Sequence, residues 1–116
     1  MNVAVDFDGT IDSFPREFQS LISALCGAGH QVYVLTGSDG QTVTQEVIDG
    51  KKAILAALGI TVYTAVVVVP DPHDANKAQF IKDNSVTLFL DNNRDNIKCA
   101  VKETGCASLL LWNSKL

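Results

Sequence analysis

The chain has 116 residues, of which 47% are hydrophobic and 19% are charged, and its formal net charge is −4. This length fits one domain, and the apolar content excludes a wholly disordered chain. No apolar run approaches the roughly 20 residues of a membrane-spanning helix, and the acidic balance argues against a basic surface of the kind that coats nucleic acid. Because the first residues also lack the pattern of a signal peptide, we expect a cytoplasmic protein.

Apolar runs and helix-period patterns alternate along the chain. The first run ends in acids and predicts a strand, and Ser13 then offers a cap for a helix whose apolar residues recur at steps of three and four. Glycines end the first two helices, and a β-branched stretch predicts a buried strand after the second. The predicted strands are 2–7, 30–36, 60–69, 86–90 and 107–112, and the predicted helices run from Ser13 to Gly27 and over 42–58, 75–83 (capped by Asp74) and 95–104.

This strict alternation of strands and helices is typical of a parallel sheet with helices on both faces. The strands are nearly continuous apolar runs, as burial on both faces requires. No linker, repeat or low-complexity stretch interrupts the pattern. We therefore predict an α/β fold, a three-layer Rossmann-like domain with a five-stranded parallel sheet, spanning residues 1–116 as a single domain.

Polar residues follow several of these segments at the edge where the carboxyl ends of parallel strands meet. Asp6 and Asp8 end the first strand, Thr36 ends the second, Lys77 lies near the start of the third helix, and Asp91 ends the fourth strand. Ligands of such sheets bind at this edge. Carboxylates this close repel one another unless a cation lies between them, and their oxygens suit Mg²⁺. A metal-bound acidic cluster beside a Lys and a Thr is suited to phosphoryl transfer.

The segment from Asp6 to Thr10, with the sequence DFDGT, resembles the first motif of the haloacid dehalogenase superfamily, which is DxDGT at the end of a hydrophobic strand. The other motifs of that superfamily follow in its order: Thr36 closes strand two, Lys77 precedes strand four, and Asp91 with Asp95 follows it. The resemblance spans nearly the whole chain. It implies the fold of that superfamily and a Mg²⁺-dependent phosphomonoester hydrolase that works through an aspartyl-phosphate.

The resemblance also implies a role for each matching residue. Asp6 would be the nucleophile, and Asp8 would be the general acid and then the general base. Thr36 and Lys77 would complete the catalytic set by holding the phosphoryl group. The residues next to the substrate would be Gly9, Thr10, Gly37 and Ser38, and those of the Mg²⁺ site would be Asp6, Asp8, Asp91 and Asp95.

Some features depart from the pattern of the superfamily. Leu90 and Asn92 flank Asp91 where many members have Gly and a second Asp, and Asp39 is unusual after the second motif. The intervals between motifs leave no room for a cap domain. The resemblance to capless members therefore implies an open site for a small or macromolecular phosphoester, one that a second copy of the chain could cover.

Two other functions remain open on the sequence. The open site and short chain also suit a phosphate- or metal-binding regulatory module without turnover. The missing cap suits a phosphatase that acts on nucleic-acid ends, although the net charge of −4 disfavours it. Elsewhere, we expect Arg94 at the solvated surface, His73 in a loop near the rim, and Trp112 packed at a strand edge.

Overall fold

The computed structural model describes residues 1–40 and 42–112, in which strands and helices alternate. None of the helices in this part of the chain has both the length and the apolar character of a membrane-spanning segment. A short irregular turn, Phe7–Ile11, follows the first strand. The strands are β1 (Asn2–Val5), β2 (Gln31–Gly37), β3 (Ala65–Val69), β4 (Val86–Asp91) and β5 (Ala107–Leu110), and the helices are α1 (Pro15–Gly27), α2 (Gln45–Ala57), α3 (His73–Asp83) and α4 (Arg94–Thr104).

The five strands form one sheet in the order β3-β2-β1-β4-β5, and every neighbouring pair is parallel. β1 lies at the centre of the sheet. The chain adds β2 and β3 on one side of it and then crosses over to add β4 and β5 on the other. This arrangement confirms the predicted α/β, Rossmann-like architecture with helices on both faces.

Two hydrophobic cores lie on opposite faces of the sheet. Successive strand residues point to opposite faces, so the apolar residues of β1 divide between the cores. One core packs against α1 and α2, and the other packs against α3 and α4, which explains why the strands are apolar throughout. The first core includes Val3, Val5, Phe18, Ile22 and Leu55, and the second includes Ala4, Leu35, Ile81, Phe89 and Ala100.

The structure corrects the predicted starts of α1, α2 and α3, and α2 begins at Gln45, three residues later than predicted. Phe14 rather than Ser13 precedes α1, and Pro72 rather than Asp74 precedes α3, in both cases without a side-chain cap bond. Pro15, at the first position of α1, has no N–H and therefore leaves one donor fewer to satisfy.

Three strands, β1, β3 and β5, are shorter than predicted, and β1 ends at Val5, before the turn Phe7–Ile11. The β-branched stretch before β3 is not a strand, because the N–H of Ile60 bonds back to the carbonyl of Leu55 at 2.9 Å and closes the end of α2. The backbone N–H of Thr64 then donates to the carbonyl of Val32 at 2.8 Å, and β3 begins at the next residue, Ala65.

β5 ends at Leu110, two residues earlier than predicted. Trp112 follows this strand and is 66% exposed, so it does not pack into a strand edge as the sequence analysis expected.

Asn93 caps α4, the helix that follows β4. Its side-chain oxygen accepts from the N–H groups of Asp95 at 2.9 Å and Asn96 at 3.0 Å. We expect Asn93→Ala to lower the free energy of unfolding by about 1 kcal/mol, because both N–H groups lose their acceptor. Asn93→Ser, whose hydroxyl can also cap, should lose much less. Denaturant unfolding of the three proteins measures the difference, and equal losses in the two variants would contradict the capping role.

Candidate functional site

The carboxyl ends of β1 and β4 form the centre of a polar cleft of about 280 Å³. These neighbouring strands lie where the direction of the strand order reverses, since β1 leads to β2 on one side and β4 leads to β5 on the other. At such a switch point the connections diverge and leave a crevice for a ligand. Acids and amides dominate the lining, which includes Asp6, Asp8, Asp39, Asp91, Asn92 and Asn96.

A buried ammonium group lies between the two central carboxylates. Lys77 reaches in from α3, and its Nζ donates to Asp6 Oδ1 at 2.7 Å and to Asp91 Oδ2 at 2.9 Å. The three side chains are at most 6% exposed. The structure thus brings three predicted site residues together, with the lysine in the position where the sequence predicted a metal cation. Two carboxylates and one ammonium still leave an excess negative charge in a region that water screens poorly.

Burial changes the ionisation of this cluster. It raises the pKa of the Asp6 carboxyl from its ordinary value of 3.8 to about 7, a rise that Lys77 opposes and Asp91 reinforces. Burial by itself lowers the pKa of Lys77, but the charges of Asp6 and Asp91 together outweigh it and raise that pKa above its ordinary 10.5. Lys77 therefore stays charged at neutral pH. A carboxyl with so altered a pKa is typical of binding and catalytic sites.

The remaining oxygens of Asp6 and Asp91 also accept bonds from the protein. Thr10, which is fully buried, donates its hydroxyl to Asp6 Oδ2 at 3.0 Å. The backbone N–H of Asn93 donates to Asp91 Oδ1 at 2.9 Å, and the amide of Asn96 donates to Asp91 Oδ2 at 3.0 Å. Thr10 therefore holds Asp6 in position from inside the protein, rather than facing a substrate as the sequence predicted.

Asn96 occupies the position that the sequence analysis gave to Asp95. Asp95 is exposed on α4, outside the lining of the cleft, whereas the neighbouring Asn96 is buried against Asp91. Consecutive residues of an α-helix point about 100° apart, so both cannot face the same carboxylate. The structure therefore places the Asn96 amide, and not the Asp95 carboxylate, against Asp91.

Asp8 lies on the open side of the cleft. Its side chain is 63% exposed. Thr36 Oγ1 and Lys51 Nζ each lie 3.5 Å from Asp8 Oδ2, at the long limit of a hydrogen bond. Asp8 is therefore held more loosely than Asp6 and Asp91, and it is accessible to a ligand. Lys51, on α2, is a basic neighbour that the sequence analysis did not identify.

The side-chain amide of Asn92 contacts Asp6 and Asp8, which follow the end of β1. With its nitrogen turned inward, it donates to Asp6 Oδ2 at 3.0 Å and to the backbone carbonyl of Asp8 at 2.9 Å. The opposite orientation would set an amide oxygen against two acceptors. When Asp6 is ionised, that arrangement needs a cation between the three oxygens, because none of them then carries a hydrogen to donate.

Gly9 allows the backbone to pass close to this amide. It has a φ of +78°, and a Cβ here would overlap the Asn92 side chain. We expect Gly9→Ala to lower the free energy of unfolding by about 2 kcal/mol, because it combines a strained left-handed conformation with displacement of Asn92.

Gly29→Ala is the matched control for the Gly9 substitution. Gly29 also has a positive φ, +91°, but a Cβ there would have nothing within 4 Å. It should therefore report backbone strain alone, and the extra loss in Gly9→Ala should report the overlap with Asn92. Denaturant unfolding measures both. A loss in Gly9→Ala no larger than in Gly29→Ala would contradict the predicted overlap.

Gly37 and Ser38, which the sequence analysis placed next to a substrate, differ in their access to the cleft. Gly37 lines it, and a Cβ there would lie 2.5 Å from Cε1 of His73, so the glycine admits the imidazole ring. Nε2 of that ring lies 2.6 Å from the carbonyl oxygen of Ser38. Ser38 itself is buried, with its N–H bonded to the carbonyl of Val69 at 2.8 Å. Ser38 therefore organises the loop and does not line the cleft.

The contributions that sequence reasoning missed come mainly from amides. Asn92, Asn93 and Asn96 each bond a carboxylate or line the cleft, yet an uncharged residue after a strand gives only a weak signal. Three asparagines within five residues at the end of a central strand form the pattern that could have indicated them.

The arrangement of acids does not form a metal site from side-chain carboxylates alone. Within residues 1–40 and 42–112, no three His, Cys, Asp or Glu side chains converge so that they could hold a metal ion. The oxygen groups that do converge are mixed: one carboxylate oxygen of Asp6, the carbonyl of Asp8 and the amide of Asn92.

Comparison with known proteins finds similarity in structure but not in sequence. No protein-family profile matches the chain, and no curated protein matches it. Among solved structures, the chain is similar to a protein from the universal stress protein family of Burkholderia pseudomallei, with a TM-score of 0.56 and 11% identity. The match covers 95% of this chain and 94% of that one.

This neighbour contradicts the expected membership in the haloacid dehalogenase superfamily. It is a universal stress protein and not a Mg²⁺-dependent phosphatase, and no comparison supports a phosphatase. The predicted enzyme class, hydrolase activity and aspartyl-phosphate mechanism are corrected accordingly. At 11% identity the likeness establishes the fold alone. The chain is therefore an α/β protein with a Rossmann-like parallel sheet, and the chemistry of its cleft has to be argued from its own residues.

Proposed function

We propose that the chain is a binding domain that holds a phosphate-bearing small molecule through Mg²⁺ at the carboxyl edge of its sheet, without turning it over. One observation carries this proposal. The Asn92 amide lies 3.0 Å from Asp6 Oδ2 and 2.9 Å from the carbonyl oxygen of Asp8. Two of these groups are oxygen acceptors, and the third also presents an oxygen when the amide rotates.

The spacing of these groups suits a small divalent cation. Oxygen ligands at about 2.1 Å from an octahedral Mg²⁺ lie about 3.0 Å from one another. With its oxygen turned inward, Asn92 would complete a set of one carboxylate and two neutral oxygens. With its nitrogen turned inward, it bonds the same two acceptors directly. Asn92 therefore suits both the cation-free and the cation-bound state.

The charges of the cleft favour joint binding of cation and phosphate. One carboxylate and two neutral oxygens hold Mg²⁺ weakly, and this ion commonly takes phosphate oxygens as further ligands. A phosphate alone would face Asp8 and Asp39, while the ammonium of Lys77 is already engaged by two carboxylates. A cation between the acids and the phosphate removes that repulsion, so each ligand should raise the affinity for the other.

Residues on the open side of the cleft support the phosphate part of the proposal. Lys51 Nζ lies beside the exposed Asp8 carboxylate and offers a donor to a phosphate oxygen, whereas Thr36 is fully buried and donates its hydroxyl to the same carboxylate. Gly37 lines the same cleft, and the space beside it is filled by the ring of His73.

The test is calorimetric titration of the wild-type chain with MgCl₂ and inorganic phosphate, each alone and then together. We expect each to bind at least tenfold more tightly when the other is saturating. Asn92→Leu should abolish this coupling, because a nearly isosteric side chain loses the amide. Asn92→Asp should tighten Mg²⁺ binding and, without Mg²⁺, lower the free energy of unfolding by adding a charge beside Asp6. Asp95→Asn, on the exposed face of α4, is the matched control and should bind as the wild type does.

Three results would overturn this proposal. The first is independent binding of the two ligands, and the second is unchanged coupling in Asn92→Leu. The third is release of inorganic phosphate from an aryl phosphate in the presence of Mg²⁺ that is lost in Asp6→Asn, because the domain would then turn its ligand over.

Other expectations from the sequence belong to the same proposal. We propose a cytoplasmic domain that spans residues 1–116 and takes small phosphorylated molecules rather than nucleic acid, since the net charge is −4. A second copy of the chain could cover the open side of the cleft. Size-exclusion chromatography with light scattering, with and without Mg²⁺ and phosphate, would test that last point.

A further inference from the structure

Aspartate directly precedes glycine at three places in the sequence, Asp8–Gly9, Asp39–Gly40 and Asp49–Gly50. In such a pair the backbone nitrogen of the glycine can attack the side-chain carboxyl carbon of the aspartate, because glycine has no side chain to obstruct the approach. The attack needs a nitrogen that is not held in a hydrogen bond and a backbone that can bring the two atoms together. The three pairs differ in both respects, so the fold determines which of them can react.

The first pair, Asp8–Gly9, is fixed within a turn. The N–H of Gly9 donates to Asp12 Oδ1 at 2.7 Å, and Asp8 Oδ2 lies 3.5 Å from the side-chain donors of Thr36 and Lys51. A nitrogen engaged in so short a hydrogen bond is not available to attack a neighbouring carboxyl group. This pair can react only after the turn opens, which requires free energy.

The second protected pair, Asp49–Gly50, lies inside α2. The helical hydrogen-bond pattern engages the N–H of Gly50, and Asp49 Oδ1 accepts from the side chain of Gln45, one turn earlier, at 2.9 Å. Closing a ring between Asp49 and Gly50 would break the helical geometry of both residues. The helix therefore protects this pair as long as it stays folded.

The remaining pair, Asp39–Gly40, is exposed in the loop that follows β2. The carbonyl of Gly40 accepts from the N–H of Asp71 at 3.1 Å, whereas none of the residues that the structure describes accepts from the N–H of Gly40. Gly40 has a φ of +76°, and a Cβ there would meet nothing within 4 Å, so this backbone has open space around it. Asp39 also lines the polar cleft.

We infer that Asp39–Gly40 is a site of spontaneous backbone modification, at which Asp39 forms a succinimide and then isoaspartate. The Gly40 nitrogen bonds to Cγ of the protonated Asp39 carboxyl, the bond from Cγ to the hydroxyl breaks, and the hydroxyl leaves as water with the proton of the N–H. A second water then opens the five-membered ring. Cleavage between the nitrogen and Cγ restores aspartate, and cleavage between the nitrogen and the main-chain carbonyl carbon gives isoaspartate.

The modification changes one wall of the cleft. The ring removes the negative charge of Asp39, whereas isoaspartate restores the charge but adds one methylene group to the main chain between β2 and α2. The reaction consumes and releases only water, so it needs no oxidant, metal or enzyme. The inference therefore stands or falls independently of the proposed function.

The test incubates the wild-type chain at pH 6 and 37 °C for several weeks, either folded or unfolded in urea. Peptide mapping with fragmentation detects the loss of one water in the ring, and enzymatic methylation of isoaspartyl residues detects the final product at each pair. In the folded chain, Asp39–Gly40 should be modified faster than either other pair by about tenfold or more, because the other two react only through local opening. In urea the three pairs should react at similar rates.

Asp39→Glu is the matched control at the reactive pair. It keeps the negative charge, but its longer side chain would have to close a six-membered ring, which forms far more slowly. The folded variant should lose most of the modification and keep the free energy of unfolding of the wild type. Asp49→Glu, at the helical pair, should leave the total modification of the folded chain nearly unchanged.

Three results would overturn the inference. The first is modification of the three pairs at equal rates in the folded chain, since the fold would then give no protection. The second is absence of modification at Asp39–Gly40 in the folded chain. The third is an undiminished total yield of isoaspartate in folded Asp39→Glu, because the product would then come from another position.

Discussion

Replacing Lys77 with methionine should lower the free energy of unfolding by about 3–5 kcal/mol near pH 7.5, the largest effect expected of any single substitution in the cleft. Methionine has nearly the same length and fills the same space, so the loss should come mainly from the charge. Lys77 donates to both Asp6 and Asp91, and without it two carboxylates remain buried side by side with no cation between them. Breaking a buried ion pair in this way costs more than the intact pair contributes.

The loss in Lys77→Met should depend on pH. At pH 5 the buried Asp6 carboxyl, whose pKa is raised, can take up a proton, which removes part of its repulsion with Asp91, so the variant should approach the wild type in stability. In the wild type, the raised pKa of Lys77 means that its contribution is fully present below pH 10.5 and is lost as the pH rises through the higher native pKa. Denaturant unfolding at pH 5 and 7.5 in the presence of EDTA tests the first point, and unfolding above pH 10 tests the second.

The control for Lys77→Met is Lys82→Met. Lys82 lies on the same helix but is exposed to solvent. The control should change the free energy of unfolding by less than about 0.5 kcal/mol, as is usual for surface substitutions. If Lys77→Met lost no more than this, or lost the same amount at both pH values, the buried charge cluster would not contribute to stability as we describe.

The fold was predictable because its signal is repeated along the whole chain. Each strand is apolar on both faces, and each helix carries an apolar side. An error at one predicted boundary therefore leaves the predicted order of strands and helices unchanged. The boundaries themselves depend on single hydrogen bonds. Ile60 belongs by composition to a strand, yet its N–H closes the end of α2. Whether Ile60 joins the strand or the end of α2 depends on the position of one carbonyl group in the folded chain. A local sequence pattern does not encode that position.

The centre of the cleft was predictable from topology, and its detail was not. Parallel strands bring their carboxyl ends to one edge, so Asp6, Lys77 and Asp91 could be expected to meet. The choice between Asp95 and Asn96 depended on the rotation of α4 by one residue. The sequence analysis chose the acid because a charge is a stronger signal than an amide, although the amide is the group that bonds Asp91.

Function was the least predictable level. A few acids, a threonine and a lysine at one sheet edge resembled a family of phosphatases, but a solved structure similar to this chain is from the universal stress protein family. One Rossmann-like sheet supports many functions at the same edge, and residues of the same type can bind, position or react there. What distinguishes these roles is the arrangement of individual donors and acceptors. The inward amide of Asn92 and the exposed carboxylate of Asp8 belong to that arrangement.

Asp6→Asn should make the cation-free protein more stable above pH 7, while weakening the binding of Mg²⁺ and phosphate. The buried cluster holds two carboxylates against one ammonium, and the substitution leaves one of each. The asparagine oxygen can still accept from Lys77. A residue that destabilises the fold and is nevertheless needed for a ligand is the pattern expected of a functional position.

The sign of the pH dependence follows from the pKa of Asp6. Burial raises that pKa from 3.8 to about 7, so the folded chain holds its proton more tightly than the unfolded chain. The stability that this proton provides is fully present below pH 3.8 and is lost as the pH rises to about 7. One pKa unit corresponds to about 1.4 kcal/mol, so the loss in the wild type is a few kcal/mol, on the order of 4 at most.

Denaturant unfolding of the wild type, Asp6→Asn and the exposed control Asp95→Asn, at pH 5 and 8 in EDTA, tests this prediction. The wild type and the control should lose stability between the two pH values relative to Asp6→Asn, which should exceed both at pH 8. Calorimetry with MgCl₂ and phosphate should then show joint binding in the control and its loss in Asp6→Asn. If Asp6→Asn were less stable than the wild type at pH 8, the prediction would be wrong. The Asp6 carboxylate would then stabilise the fold through Lys77, and its burial would not lower stability for the sake of ligand binding.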